Sequence, residues 1–399
     1  MLTCKPVVGY AAGPLGSGPC VLPSAGGSTI LSTTPQERTD QERRQDRAAA
    51  IRQFADAFLP GGNQDLFEDL LVTLCRLARD RAGRGDVKLL QKAVAELRYA
   101  LKTFAPYREV PKISIFGSSR TPEDHPDYRQ ALLFARRLRE NGWMVITGAG
   151  DGIMKAGHGG AGREASFGVA IRLPFEQKTN PIIADDAKLV SFRYFFTRKL
   201  IFMKEASAIA LFPGGFGTLD EGFEALTLVQ TGKTPLIPIV MLEQPGGTYW
   251  LQWRAYVKSE LLSAGMINPE DMGLFRITDD VETAVREVVQ FYRVYHSMRY
   301  VGDDLVLRLK RPLSAGLLDR LNDEFGRIVA AGRIEQTPIL EAEGGELPDL
   351  PRLKLRFDRR SLGLLRRCID VINQEAAPAR GRALGRGRGG DGRRGAGNP

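Results

Sequence analysis

Three apolar runs in this chain each end in a glycine-containing turn and pass at once into a helical pattern. Ile113 to Phe116 leads into Gly117-Ser118-Ser119-Arg120-Thr121, and Trp143 to Ile146 leads into Thr147-Gly148-Ala149-Gly150-Asp151-Gly152. Ala208 to Phe212 leads into Pro213-Gly214-Gly215-Phe216-Gly217-Thr218, with a new helical pattern from Leu219. Between these runs lie a helix over Asp127 to Asn141 and another from Ile153. Further strands fall at Val169 to Leu173, Lys188 to Phe192 and, as the last of the series, Leu236 to Met241. Strands alternating with helices predict an α/β fold built on a doubly wound parallel sheet. Ligands of such sheets bind outside the carboxyl ends of the strands, so all of the glycine turns share the edge where a nucleotide would sit. One nucleotide site explains them together; purely structural roles need a separate reason for each.

The turn at Pro213 to Thr218 is the most informative. Backbone N–H groups at a helix start converge with the positive end of the helix dipole, which suits a phosphate. Glycines there permit positive φ and let a ligand approach the backbone. The same residues admit a plainer reading. Thr218-Leu219-Asp220-Glu221 fits a capping box, in which Thr218 caps the helix and Glu221 folds back on the cap. Ser118 and Ser119 are likewise either ligand donors or helix caps.

The 399 residues suffice for about two or three domains with a real core. No run of about 18 apolar residues and no secretory pattern is found, so a cytoplasmic protein with no membrane partner is expected. The four cysteines (Cys4, Cys20, Cys75, Cys368) are scattered, without metal or disulfide spacing. His125, His158 and His296 are too separated for a metal site. The net charge of +9 is concentrated at the end, where Arg380, Arg382, Arg386, Arg388, Arg393 and Arg394 stand among glycines against Asp391 alone. Such a tail either contacts nucleic acid weakly by counterion release or is a solvated disordered end.

Residues 1–42, rich in Gly, Pro, Ser and Thr, read as disordered, and 377–399 as a disordered Arg/Gly tail. Helical periodicity marks an extension over 43–108, with a break at Pro60-Gly61-Gly62 and a later helix over Asp86 to Tyr99. The nucleotide-binding domain is assigned to 109–297 and a small α+β domain to 298–376. In the latter, strands are expected at Leu305 to Leu309, Pro338 to Leu340 and Leu353 to Phe357, with helices over Ser314 to Ala331 and Ser361 to Asn373.

At Pro213-Gly214-Gly215-Phe216-Gly217-Thr218-Leu219-Asp220-Glu221 the chain resembles the lonely-guy family of Rossmann-like proteins, whose signature is PGGxGTxxE. That family was long misnamed lysine decarboxylase. Arg198-Lys199 matches the family's Arg-Lys pair, and Leu173 to Glu176 and Phe192 to Phe196 match its common bacterial branch. The resemblance covers roughly Ile113 to Gln290. It implies a phosphoribohydrolase that splits the N-glycosidic bond of a nucleoside 5'-monophosphate, such as AMP or a cytokinin nucleotide, into free base and ribose 5-phosphate. The family's essential Arg and Glu map onto Arg198 and Glu221. The phosphate is expected on Gly214, Gly215, Gly217 and Thr218. Gly117, Ser118, Ser119, Gly148, Gly150, Gly152, Lys199 and Glu224 are further substrate-binding candidates, with Lys199 also explained as a solvated face. No cofactor is implied, and a homodimer or larger homo-oligomer is, with Phe195 to Phe223 near the interface. The second turn departs from the family's usual GGGPGIMEA: Asp151 adds negative charge and Lys155 replaces a common glutamate.

Two other classes remain alternatives. The fold also resembles molybdenum-cofactor carriers, and an altered Gly148 turn would suit a changed ligand in a non-catalytic carrier. A nucleic-acid-binding protein using the Arg/Gly tail is the other, separable by deleting Ala377 to Pro399. A decarboxylase needs a pyridoxal phosphate lysine, and nothing in the sequence marks one.

Overall fold

The computed structural model describes residues 40–58, 61–173 and 179–375. Apart from 40–42, which open a helix, the segments expected to be disordered lie outside the described residues. So do Pro174 to Glu176 of the bacterial-branch match. The chain divides into two compact units, Met1–Arg84 and Gly85–Pro399.

In the first unit, α1 (Asp40–Phe58) and α2 (Gln64–Arg79) flank the expected break, where Gly61 takes φ +123°. Gln64 donates to Asp56, and Arg52 pairs with Glu68 at 3.7 Å. Helix α2 buries none of its residues, and Leu66, Leu70 and Leu74 stay exposed. Of the expected extension, α3 (Arg84–Phe104) falls almost wholly in the second unit. There Phe104 stacks on Phe167 with ring centroids 4.2 Å apart.

The second unit opens with β1 (Lys112–Phe116), α4 (Pro126–Glu140), β2 (Met144–Thr147), α5 (Ile153–Ala161), β3 (Ser166–Ile171) and β4 (Leu189–Phe192). It continues through α6 (Phe195–Glu205), β5 (Ala208–Leu211), α7 (Phe216–Gln230), β6 (Ile239–Leu242), α8 (Tyr249–Tyr256), β7 (Phe275–Thr278) and α9 (Val281–Phe291). Seven parallel strands stand in the order β4-β3-β2-β1-β5-β6-β7. The chain winds outward from β1 to β4, then returns to lay β5 beside β1. That reversal opens a crevice at the carboxyl ends of β1 and β5, where doubly wound sheets bind ligands. Helices on both faces bury the sheet, which is why β1, β2, β5 and β6 are buried along their whole length and read as largely apolar. Leu236 to Met241 is not the last strand: β7 follows and pairs with β6. Its short Phe275-Arg276-Ile277-Thr278 alternation fits an edge strand and gives a weak apolar signal.

After α9 come β8 (Tyr295–Val301), β9 (Asp304–Leu309), α10 (Ala315–Phe325), β10 (Val329–Thr337), β11 (Arg352–Phe357) and α11 (Leu362–Gln374). These strands form an antiparallel sheet in the order β10-β11-β9-β8. The boundary expected at 297/298 falls inside β8. The helix expected through Ala331 ends at Phe325, and Val329 to Ala331 already belong to β10. Pro338 to Leu340 is not a strand; β10 stops at Thr337, because proline has no N–H for the ladder. The two sheets share a continuous core, in which Phe202, Leu211 and Met241 join Leu307, Leu355 and Ile369. Beside it Arg352 and Arg308 are buried with Glu343, whose carboxylate accepts from both guanidiniums at 2.8–3.1 Å. Burial alone would raise the Glu343 carboxyl; the guanidiniums outweigh it and hold the carboxyl below its ordinary range.

Candidate functional site

The crevice between β1 and β5 contains a cavity of about 660 Å³. Its rim is stitched by backbone bonds: Phe212 N–H donates to Phe116 O at 2.8 Å, and Ser118 N–H to Pro213 O at 3.1 Å. Of the candidates read from sequence, the cavity wall includes Gly117, Ser118, Ser119, Gly148, Arg198, Gly215, Gly217, Thr218 and Glu221. Gly150, Gly152, Gly214, Lys199 and Glu224 are not on it, and the first three hold the loops that are. A Cβ on Gly152, which sits at φ +61°, would overlap the Ser118 carbonyl, and one on Gly214 would overlap Thr218 Oγ1.

Helix α7 starts at Phe216, not Leu219, with Gly215 as its cap and no side-chain cap. Glycine at the cap and second helical position costs little, because the first helical N–H groups have no intrahelical partner there. The capping-box reading is therefore overturned. Thr218 N–H donates to Gly215 O at 3.1 Å, and Glu221 lies in the second turn rather than the first. The early start aims the free N–H groups of the first turn at the cavity.

Glu221 is 7% exposed. Burial pushes its carboxyl up to about 7, and the nearby Lys199 and Arg198 charges limit that rise. Lys199 stands 4.0 Å away and bridges Asp220 and Glu224, each at 2.8 Å. Burial would lower Lys199, but those carboxylates raise it, so it stays cationic and is no solvated bystander. Across the cavity, Arg198 Nε donates to Val169 O at 2.9 Å, and its guanidinium lies 5.1 Å from the Phe202 ring centroid. A Cβ on Gly148 would come within 2.5 Å of Arg198 Nη2, so this glycine makes room for the guanidinium. Burial lowers Arg198, countered by Glu221.

The raised carboxyl has a stability signature. Glu221 ionises less readily folded than unfolded, so its full contribution is present below about pH 4.5 and is lost as pH rises through about 7. The cost above pH 7 is about 3 kcal/mol, on the order of 1.4 kcal/mol per pKa unit. Glu221→Gln is expected to match wild type in urea unfolding near pH 4 and to exceed it by up to that amount at pH 8. Parallel pH profiles of the two proteins would show that Glu221 is not strained by burial.

The Gly148 turn rests on residues without a sequence signal. His158, fully buried, places Nε2 3.0 Å from both Phe167 O and Thr147 Oγ1. A carbonyl only accepts, so Nε2 carries the proton and Nδ1 accepts from Asn180 Nδ2 at 3.1 Å. Burial lowers the His158 pKa and keeps the ring neutral. Asn180 also donates to Gly150 O and Ala149 O, holding Ala149 at φ +63°. On the other wall, Tyr249 OH donates to Gly214 O at 2.6 Å. Tyr249 is itself placed by the buried Glu243, which accepts the first N–H groups of α8. Arg120, Met154, Ile171, Phe195, Phe216 and Asp220 also line the cavity and were not among the site candidates read from sequence.

Residues 150–288 match a family described as possible lysine decarboxylase. A cytokinin riboside 5'-monophosphate phosphoribohydrolase of Mycobacterium tuberculosis is 30% identical over 146 residues, 36% of this chain and 76% of that protein. The chain belongs to the lonely-guy family. Among solved structures, the molybdenum cofactor carrier protein of Chlamydomonas reinhardtii is 21% identical, with a TM-score of 0.33 over 46% of this chain and 98% of that one. A molybdenum cofactor binding protein of Rippkaea orientalis is 18% identical, with a TM-score of 0.33 over 45% and 94%. In this lonely-guy protein the departures from the family's second turn sit away from the cavity wall. Asp151 is exposed and off it, and Lys155 pairs with Glu123 at 2.6 Å.

Proposed function

We propose that this lonely-guy protein is a nucleoside 5'-monophosphate phosphoribohydrolase of the AMP or cytokinin-nucleotide type. The observation that carries the reading is the buried Glu221 carboxyl, raised to about 7, in one cavity with Arg198 and the glycine-capped start of α7. The 5'-phosphate lies at Gly215 and Gly217, where free N–H groups and the helix dipole favour it, with Thr218 offering its hydroxyl. Arg198 and Glu221 are near enough to feel each other's charge but make no ion pair within 4 Å, which leaves room for ribose between them.

Water adds to C1' as the C–N bond breaks; its electron pair leaves with the base, which takes up a proton. Positive charge grows on the ribose, and the ionised Glu221 stabilises it and orients the water, accepting its proton. Arg198 assists the departing base. Exposed Phe195, Phe196 and Leu200 on α6 offer an apolar surface beside the cavity for the homo-oligomer that the family implies.

A panel of nucleoside 5'-monophosphates, with products separated by chromatography, tests this reading. The expected result is free base with ribose 5-phosphate from at least one nucleotide, and kcat/KM falling below about pH 7 as Glu221 is protonated. Nucleotide that binds saturably and is recovered intact throughout would replace the enzyme by a carrier.

A further inference from the structure

The proposed substrate brings a phosphate dianion into a cavity whose charges are largely spent. Arg198 is fixed through Nε on Val169 O and faces Glu221; Lys199, behind the wall, is held by Asp220 and Glu224. Among the described residues on the cavity wall, Arg120 is the other cation. Its guanidinium has no hydrogen bond or ion pair with any described residue.

The loop that carries Arg120 is built rather than loose. Ser118 Oγ accepts from Arg120 N–H at 3.1 Å, Ser118 O accepts from Ile153 N–H at 3.0 Å, and Ser118 N–H reaches Pro213 O. The last bond ties this loop to the turn that opens α7. A Cβ on Gly214 would stand only 3.0 Å from Ser118 N, so the two loops approach as closely as their backbones allow. The N-terminus of α7 and the loop of the exposed Arg120 therefore adjoin on the cavity wall. Backbone N–H groups and a dipole supply partial charge. A dianion is better matched when a full, forked cation joins them.

Resting on the function proposed above, we infer that Arg120 is the residue that selects the 5'-phosphorylated substrate, by closing its guanidinium on a phosphate held at the start of α7. It touches substrate remote from the bond that breaks, so it contributes to binding and not to the chemical step.

The test compares wild type, Arg120→Ala and Arg120→Lys in equilibrium binding of AMP and adenosine, and in base release from both. For Arg120→Ala the expected result is AMP affinity weakened about 10- to 100-fold and adenosine affinity unchanged. In turnover, KM for AMP rises by a similar factor while kcat stays within about twofold, and Arg120→Lys recovers part of the loss. AMP affinity unchanged in Arg120→Ala, or adenosine weakened as much as AMP, would overturn the inference. The binding arm needs no turnover. A wild type that binds AMP without cleaving it removes the proposed activity, and the AMP-to-adenosine ratio still decides the role of Arg120.

Discussion

Glu221→Ala is expected to lower base release by about 10²–10⁴-fold while nucleotide binding stays within a few fold of wild type. The residue meets the developing charge at the ribose, whereas the α7 N-terminus and the loops around it hold the phosphate. The loss should therefore appear in kcat and not in KM. Glu221→Gln keeps the volume and removes the charge, and should be as inactive as the alanine variant. Single-turnover rates beside calorimetric binding separate the effects. Full activity in the glutamine variant would remove the carboxylate from the chemistry, whatever its burial. Lys199→Met offers a graded companion. It leaves Glu221 without its nearest cation, so the acid limb of kcat/KM should move to higher pH.

Glu343→Ala is expected to destabilise the second unit by about 3–5 kcal/mol, the usual cost of stranding a buried charge. Arg352 is fully buried and Arg308 nearly so, and both donate to this carboxylate. Arg352 keeps the carbonyls of Glu346, Leu347 and Leu350 as acceptors, but no anion compensates its charge. The core is continuous from the antiparallel to the parallel sheet. Urea unfolding should therefore remain one transition at a lower midpoint, with cavity and sheet lost together. A separate early transition confined to the C-terminal sheet would show that the shared core does not couple them.

The sequence exposed most clearly what backbone periodicity and glycine placement encode. The runs at β1, β2 and β5 are largely apolar because helices bury both faces, and each glycine turn follows from a strand that must end at a ligand edge. Less legible were features fixed by tertiary context. Helix α7 begins earlier than Thr218 suggested, because Gly215 and Gly217 are tolerated at a helix start. Edge strands β7 and β8 mix polar and apolar residues and lack the signal of a buried strand. The cavity candidates divide in the same way. Arg198 and Glu221 stand in recognisable runs, while His158, Asn180, Glu243 and Tyr249 act through hydrogen bonds that only the folded chain brings together. Lone polar residues in helices and loops carry no spacing from which such contacts can be inferred. Arg120 followed a glycine turn in plain view, but only the cavity shows it unpaired beside the α7 start.

The most direct test of the central claim is a product balance on AMP with the wild-type protein, measuring adenine, ribose 5-phosphate and inorganic phosphate in one reaction. Cleavage at C1' predicts adenine and ribose 5-phosphate in equal amounts, with no inorganic phosphate above the blank. Adenosine with inorganic phosphate would mean that the cavity works on the phosphate ester instead. AMP recovered whole, together with every other nucleotide tried, would leave Glu221 and Arg198 as parts of a binding site without hydrolysis.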